Sequence, residues 1–197
     1  MSNQEKIGDI FEFIRNGASI KQLDGKGGIP ITRIETIWDG SIDKNRFGYA
    51  DIFENSIYKY EKYFLRRGDI LMSHINSPKH LGKCAIYNGI PESLIHGMNL
   101  LCLRGLNHMI FPRYAMYFFQ SIYFKGLIRK ISNQSVNQAS FSTSKLKDLK
   151  IPLPPLPTQK KNAAILDNAD ELRRNDQKIL KKYDELAQSV FLEMFGD

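Results

Sequence analysis

Side chains that can hydrogen-bond to the edges of DNA bases gather in three polar stretches of this 197-residue sequence. Arg and Lys pair well with guanine, Asn and Gln with adenine, and Ser and Thr bond to several bases. The candidates are Lys26, Thr32 and Arg33; His74, Asn76, Lys79, His80 and Lys83; and Asn133, Gln134, Ser135, Asn137 and Gln138. These residue types make the three stretches candidates for contacts with bases. For each residue, the alternative is an ordinary solvated loop side chain.

The sequence contains no comparable set of residues for catalysis. The loop Asp24–Gly28 is not a nucleotide-binding loop, because its Gly-Lys pair precedes Gly rather than Ser or Thr. Pro154 and Pro155 are followed by Leu156, so the Asn/Asp-Pro-Pro-Tyr/Phe motif of adenine methyltransferases is missing. The cysteines and histidines lack zinc-ligand spacing. We predict no catalytic residue, no metal site and no cofactor; a free-standing enzyme acting on nucleic acid is the weaker alternative.

The positive charge of the sequence is unevenly distributed. Residues 1–157 hold 21 Lys and Arg against 13 Asp and Glu, whereas the rest of the chain holds seven against eight. The globular part therefore carries a net charge of +8, more than the +7 of the whole chain. An excess of this kind is typical of proteins with a polyanionic partner, although many basic proteins bind no nucleic acid.

The compartment is indicated by the cysteines and by the hydrophobic profile. Cys84 and Cys102 lie far apart in apolar runs, as reduced core thiols do. The polar N-terminus does not resemble a signal peptide, and no run approaches the ~20 apolar residues that span a bilayer. We predict a cytoplasmic chain without a membrane partner.

Apolar patterning predicts a mixed α/β or α+β globule at residues 1–150. Short apolar runs between turn residues predict strands at Ile29–Ile34, Ile70–Ser73, Gly82–Tyr87 and Asn99–Arg104. From Pro112 to Ile131 apolar residues recur every three to four positions, which predicts one amphipathic helix of about five turns. These elements must position the three polar stretches.

Four prolines in Ile151–Pro157 separate this globule from the last segment of the chain. Proline cannot continue a helix and favours an extended residue before it. We predict an extended strap at residues 151–157 that leaves the globule, and a long helix at residues 158–197 with Thr158 as its N-cap. The alternative is a proline-rich linker or a polyproline-II ligand for an SH3-type domain.

The last segment has a heptad pattern of apolar residues. One seam position holds Ala169, Asp176, Tyr183 and Val190, the other holds Ile165, Leu172, Ile179 and Leu186, and a third column includes Leu166, Leu180 and Met194. Such a stripe on a rod of ~58 Å, at ~1.5 Å per residue, is too long for a compact globule to cover. We predict a coiled-coil or bundle helix that pairs with another copy or another protein; packing against its own globule is the alternative.

These segments together resemble the specificity (S) subunit of type I restriction-modification enzymes. The most specific part is Ile151–Gln159, followed by Ala163–Asp167, Glu171–Arg174 and Leu186–Asp197. Upstream, Gly8 and Asp9, Arg67–Ser73, Gly82–Ala85 and Ser140–Leu146 fall in family order. The resemblance covers most of the chain.

The resemblance implies a target recognition domain that reads one half of a bipartite target in double-stranded DNA, followed by a spacer helix. It implies methyltransferase subunits as partners, joined by motor-nuclease subunits in a complete restriction complex. Adenine methylation would be carried out by those partners, not by the specificity subunit.

Family members carry two domain-plus-helix repeats, whereas this sequence carries one. It is therefore either a half-length subunit or the first half of a longer one. A half-length subunit would form a homodimer through its helix. A helical adaptor that binds only protein remains the alternative function, although it would not account for the basic globule.

Overall fold

The computed structural model of the chain describes residues 3–23, 27–38, 40–52, 54–136 and 138–196. It divides into two compact units, Met1–Lys160 and Lys161–Asp197. The first unit contains a mixture of short strands and helices, and the second is helical.

The elements are numbered along the chain. The described strands are β1 (Gln4–Lys6), β2 (Phe11–Asn16), β3 (Ile29–Ile31), β4 (Ile37–Trp38), β5 (Ser41–Ile42), β6 (Gly48–Ala50), β7 (Ile70–Ser73), β8 (Ile75–Asn76), β9 (Cys84–Ile86), β10 (Leu100–Gly105), β11 (Asn133–Gln134), β12 (Ala139–Ser140) and β13 (Lys150–Pro152). The described α-helices are α1 (Ile7–Ile10), α2 (Pro112–Gln120), α3 (Ile122–Ile131), α4 (Thr143–Asp148) and α5 (Leu156–Phe195), and 3₁₀ helices lie at Ile34–Thr36, Lys44–Arg46 and Glu54–Tyr63. This mixed α/β unit and its long C-terminal helix confirm the predicted fold class. None of the described helices is apolar over enough of its length to cross a membrane.

A four-stranded antiparallel sheet forms the centre of the first unit, in the order β2–β10–β7–β9. All of β7 and the first four residues of β10 are buried, as expected for apolar runs covered on both faces. One face packs against a cluster that includes Phe119 and Phe124, and the other against Tyr87 and Leu94. The strands predicted within residues 70–73, 82–87 and 99–104 are confirmed.

The strand predicted at Ile29–Ile34 is shorter than expected. Only Ile29–Ile31 forms a strand, paired with β6, and a 3₁₀ helix begins at Ile34. The hydroxyl of Thr36 accepts a hydrogen bond from the Arg33 N–H at 2.8 Å, which stabilises the turn instead of a longer strand.

The single helix predicted from Pro112 to Ile131 is wrong, because the structure contains two helices that meet at Ser121. Ser121 is extended, with φ −64° and ψ 151°. Its hydroxyl donates to the Phe118 carbonyl at 2.6 Å and accepts from the Phe124 N–H at 3.1 Å. The serine therefore ends α2 and caps α3, although the apolar spacing continues across the break.

The predicted strap is also partly wrong, because its first residues belong to a sheet. β13 pairs antiparallel with β1, and Ile151 is fully buried. In a two-stranded sheet Pro152 can occupy a strand end without removing a needed N–H donor. Helix α5 begins at Leu156, with Pro157 in its first turn, so Thr158 lies inside the helix and is not its N-cap.

An ion pair fixes the turn that precedes β7. The Arg104 guanidinium binds Asp69 through Nε to Oδ1 at 2.8 Å and Nη2 to Oδ2 at 2.7 Å. Oδ2 also accepts from the Arg66 N–H at 2.7 Å. The hydrogen bond to Asp69 raises the pKa of Arg104. The buried Asp69 carboxylate is thus fully used in holding the turn.

The second unit exposes the apolar stripe of α5. Every described residue from Glu171 to Gly196 is exposed. The predicted seam and column residues are between 42% and 66% exposed at Ile165, Leu166, Leu172, Ile179, Leu180, Tyr183, Leu186, Val190 and Met194. In the single chain these side chains remain in contact with water.

Candidate nucleic-acid interface

A small three-stranded sheet brings two of the predicted polar stretches together. Its order is β11–β12–β8, with Ala139 of the middle strand facing Gln134 on one side and Asn76 on the other. The Phe141 N–H donates to the His74 carbonyl at 3.1 Å and continues the pairing. The stretches that begin at His74 and at Asn133 therefore lie on strands of one sheet and share one surface.

The strands β11 and β12 form a hairpin whose polar side chains point into solvent. The N–H and the hydroxyl of Ser135 both donate to the Gln138 carbonyl, at 2.7 Å and 3.0 Å, and close the tip. Asn133, Gln134, Ser135 and Gln138 are all exposed. The base of the hairpin is anchored by buried Ala139 and Phe141. The remaining candidate of this stretch, Asn137, lies outside the described residues.

The turn that follows β8 presents two lysines beside the hairpin. It is attached to Ser73 at the end of β7, whose N–H donates to the Lys83 carbonyl at 2.9 Å and whose hydroxyl donates to the His80 carbonyl at 2.7 Å. Lys79 and Lys83 are exposed. Desolvation lowers the pKa of His80, and the charges of Lys83 and Lys79 lower it further. His80 is therefore neutral at neutral pH, and the lysines supply the charge of this turn.

His74 and Asn76 are less exposed than the two lysines. His74 is only 8% exposed, and its ring packs edge-on against Phe141 with centroids 6.3 Å apart. Burial lowers the pKa of His74. Asn76 is half-buried, and its side-chain oxygen accepts from the Ser77 N–H at 2.8 Å. His74 thus supports the hairpin from below.

The first predicted stretch does not join this sheet by any described strand pairing. Thr32 is 1% exposed, and its hydroxyl accepts from the Gly97 N–H at 3.0 Å. Arg33 donates from Nε to the Gln22 side-chain oxygen at 2.6 Å and lines an open cavity of about 240 Å³. Lys26 lies outside the described residues. The burial of Thr32 and His74 removes both from the set of base-reading residues proposed below.

The whole positive excess of the globular part lies in the segment that contains this surface. Residues 70–147 hold nine Lys and Arg and one acidic residue, Glu92. The remainder of residues 1–157 holds twelve basic and twelve acidic residues. The segment therefore accounts for the net charge of +8 by itself.

Three of these cations lie on α3, outside the three polar stretches of the sequence. Lys125, Arg129 and Lys130 are exposed. The helix lies next to the lysine turn, since a Cβ added to Gly82 would approach the Ile128 side chain to 3.4 Å. The sequence signal was the absence of any Asp or Glu between residues 93 and 147, rather than a motif.

The exposed side chains of this surface are of types that contact nucleic acid. The surface offers amide side chains on a hairpin and cations on both a turn and a helix, the groups that contact bases and phosphates. Across the described residues, no group of three or more His, Cys, Asp or Glu side chains is placed to hold a metal ion.

Residues 2–183 match the protein family described as "Type I restriction modification DNA specificity domain". The chain belongs to this family. The match includes the hairpin, the lysine turn, α3 and most of α5. The resemblance recognised from the sequence is thereby confirmed.

Two named relatives are similar over nearly all of this chain. The putative type I restriction enzyme MjaX specificity subunit of Methanocaldococcus jannaschii is 45% identical over 191 residues, covering 96% of this chain and 44% of the relative. The type I restriction enzyme EcoKI specificity subunit of Escherichia coli K12 is 24% identical over 192 residues, covering 94% of this chain and 40% of the relative. The chain thus spans less than half the length of either specificity subunit.

Solved structures of the family share the fold. The HsdS subunit from Thermoanaerobacter tengcongensis matches 98% of this chain and 44% of its own, with a TM-score of 0.65 and 16% identity. The type I restriction-modification S subunit from M. genitalium matches all of this chain and 46% of its own, with a TM-score of 0.62 and 15% identity. The fold of the specificity-domain family is therefore retained at low sequence identity.

Proposed function

We propose that this chain reads one half of a bipartite DNA target as the specificity component of a type I restriction-modification system. The observation that carries the proposal is the exposed amide hairpin β11–β12, which lies within a segment of nine basic residues and one acidic residue. Membership of the DNA specificity domain family supports it.

The hairpin is the part proposed to read bases. B-DNA's major groove is about 12 Å wide and admits a two-stranded ribbon. Asn133, Gln134 and Gln138 carry amides that can pair with adenine, and Asn76 stands beside them. Ser135 and Asn137 are the further candidates from the same stretch of the sequence.

The exposed cations are proposed to hold the domain on the duplex. Lys79 and Lys83 lie on the turn beside the hairpin, and Lys125, Arg129 and Lys130 lie on α3. Contacts from Lys and Arg to phosphates supply affinity and fix register, but carry no sequence information. Arg33 is retained as a more remote candidate.

The chain is proposed to have three functional parts: a DNA-reading domain at residues 1–150, the connecting segment 151–157, and a helix that pairs with a second copy. The exposed stripe of α5 supports the pairing. Methyltransferase subunits, and motor-nuclease subunits where a system has them, are the proposed protein partners. The chain itself is proposed to be non-catalytic and to need no cofactor, with adenine methylation performed by the methyltransferase.

The decisive test is the methylation pattern of DNA from cells that express this chain with the methyltransferase subunit of its system. We expect one bipartite motif with methylated adenines. Gln134→Ala with Gln138→Ala should relax or abolish one part of that motif, at about 1–3 kcal/mol for each base that is no longer bonded. Asn45→Ala, an exposed amide outside the basic segment, should leave the motif unchanged.

A protein-only helical adaptor would give a different result. The purified chain would bind no duplex in a gel shift at low salt, even with methyltransferase present, and the cells would contain no new methylated motif. That outcome would reject the DNA-reading proposal.

A further inference from the structure

An apolar side chain occupies the tip of the amide hairpin. Val136 is 94% exposed, and no other large apolar side chain in the described residues is as exposed. It directly follows Ser135, whose two hydrogen bonds to the Gln138 carbonyl close the tip. Ser135 and Gln138, on either side of the tip, are polar and exposed.

The hairpin that carries Val136 is anchored at its base. β12 pairs with β8 on one side and β11 on the other, and Ala139 and Phe141 are buried at its base. A valine has few side-chain rotamers because its Cβ is branched. The isopropyl group can thus meet a partner without a large loss of conformational freedom.

The proposed DNA partner offers one apolar group to such a side chain. In the major groove the base edges present hydrogen-bond donors and acceptors, and the exception is the 5-methyl group of thymine. Amides on both sides of Val136 suit adenine, the base that pairs with thymine.

We propose that Val136 contacts the 5-methyl group of one thymine in the recognised half-site. This assignment rests on the proposed function and deepens it: the hairpin distinguishes thymine from cytosine and uracil by an apolar contact. The neighbouring amides read hydrogen-bonding groups.

The test uses uracil, which lacks only the methyl group of thymine. The full chain, with its methyltransferase, first selects sequences from a random duplex library. Each thymine of the selected half-site is then replaced singly by deoxyuridine, and binding is measured for the wild type and for Val136→Ala.

When uracil replaces the contacted thymine, the affinity of the wild type should fall about fourfold. This is the change expected from the loss of apolar burial equivalent to one methylene group. Val136→Ala should show a similar loss of affinity on thymine DNA and no further loss on uracil DNA. Ile90→Ala is the matched control, because Ile90 is 70% exposed and follows β9, outside the hairpin. This variant should retain both the affinity and the uracil sensitivity of the wild type.

Three results would overturn the assignment. The wild type could tolerate uracil at every thymine. Val136→Ala could weaken binding to all sequences equally, as a wedge between base pairs would. It could instead lower only the affinity for the methyltransferase, which would make the tip a protein contact. Failure of the wild type to select any sequence would reject the proposed function itself.

Discussion

Gln159 is a buried polar residue whose role is structural. Its side-chain oxygen accepts from the Phe111 N–H at 2.8 Å, and its NH₂ donates to the carbonyls of Met109 at 2.9 Å and Pro154 at 2.8 Å. It is fully buried. Its place within the motif Ile151–Gln159 thus has a physical explanation, because this one side chain satisfies three backbone groups.

We expect Gln159→Leu to lower the free energy of unfolding by roughly 3 kcal/mol, since each buried backbone group left without a partner costs about 1–3 kcal/mol. Leucine has a similar size, so little of the change would come from a cavity. Urea unfolding of the full chain measures it. Gln188→Leu, on an exposed part of α5, should change stability by less than about 0.5 kcal/mol. Equal stability of the two variants would show that the three bonds contribute little.

Residue type predicted which side chains could bond to bases, but it did not predict which are exposed. Thr32 and Lys79 were equally good candidates in the sequence. The structure buries Thr32 because the neighbouring Ile31 bridges to Ile95, whereas Lys79 lies on a turn in solvent. Burial at such a position depends on a partner more than sixty residues away. The spacing of neighbouring residues carries no information about that partner.

At the level of elements, the central strands were predictable and the pairing of the small sheet was not. Runs such as Ile70–Ser73 are apolar throughout and bounded by turn residues, which is a local signal. The pairing of β8 with β12 joins residues 76 and 139. A strand of two residues is too short to show an apolar periodicity, so the sequence does not predict this pairing. The break between α2 and α3 was missed for a related reason, because a single serine hydroxyl overrides a continuous apolar pattern.

Helix α3 provides a test of phosphate binding that is separate from base reading. Replacing Lys125, Arg129 and Lys130 together by Ala should weaken binding to all duplexes alike and leave the preferred sequence unchanged. The dependence of log K on log salt should become less steep by about 0.9 for each phosphate that is no longer neutralised. A gel-shift series over several salt concentrations measures this slope.

The control for that experiment removes the same charge elsewhere. Lys21, Lys44 and Lys59 are exposed and lie outside residues 70–147. Their combined replacement by Ala should leave the slope close to the wild-type value. If both triple variants reduce the slope equally, the attraction arises from net charge alone and α3 has no particular contact with phosphates.

Over the whole molecule, the net positive charge and the exposed apolar stripe lie in different parts of the sequence. Residues 70–147 carry the entire positive excess of the globular part, while the residues from Thr158 onward are nearly neutral, with seven basic and eight acidic side chains. The second unit instead exposes a long apolar stripe. Attraction to a polyanion and association between helices can therefore be altered independently by mutation.

That independence leads to a prediction about assembly. Light scattering of the purified chain should give twice the 22.7 kDa mass of one chain, because pairing two helices removes the exposed stripe from water. Ile179→Asp with Leu186→Asp places charges in the stripe and should yield the single-chain mass. Gln177→Asp with Gln188→Asp adds the same charge to exposed positions off the stripe and should leave the dimer intact.

A wild-type chain that is already monomeric would contradict pairing between copies, and the stripe would then have to be covered by a different protein. In either case the stripe variant should still bind random duplex at low salt, since all nine cations of residues 70–147 are unchanged.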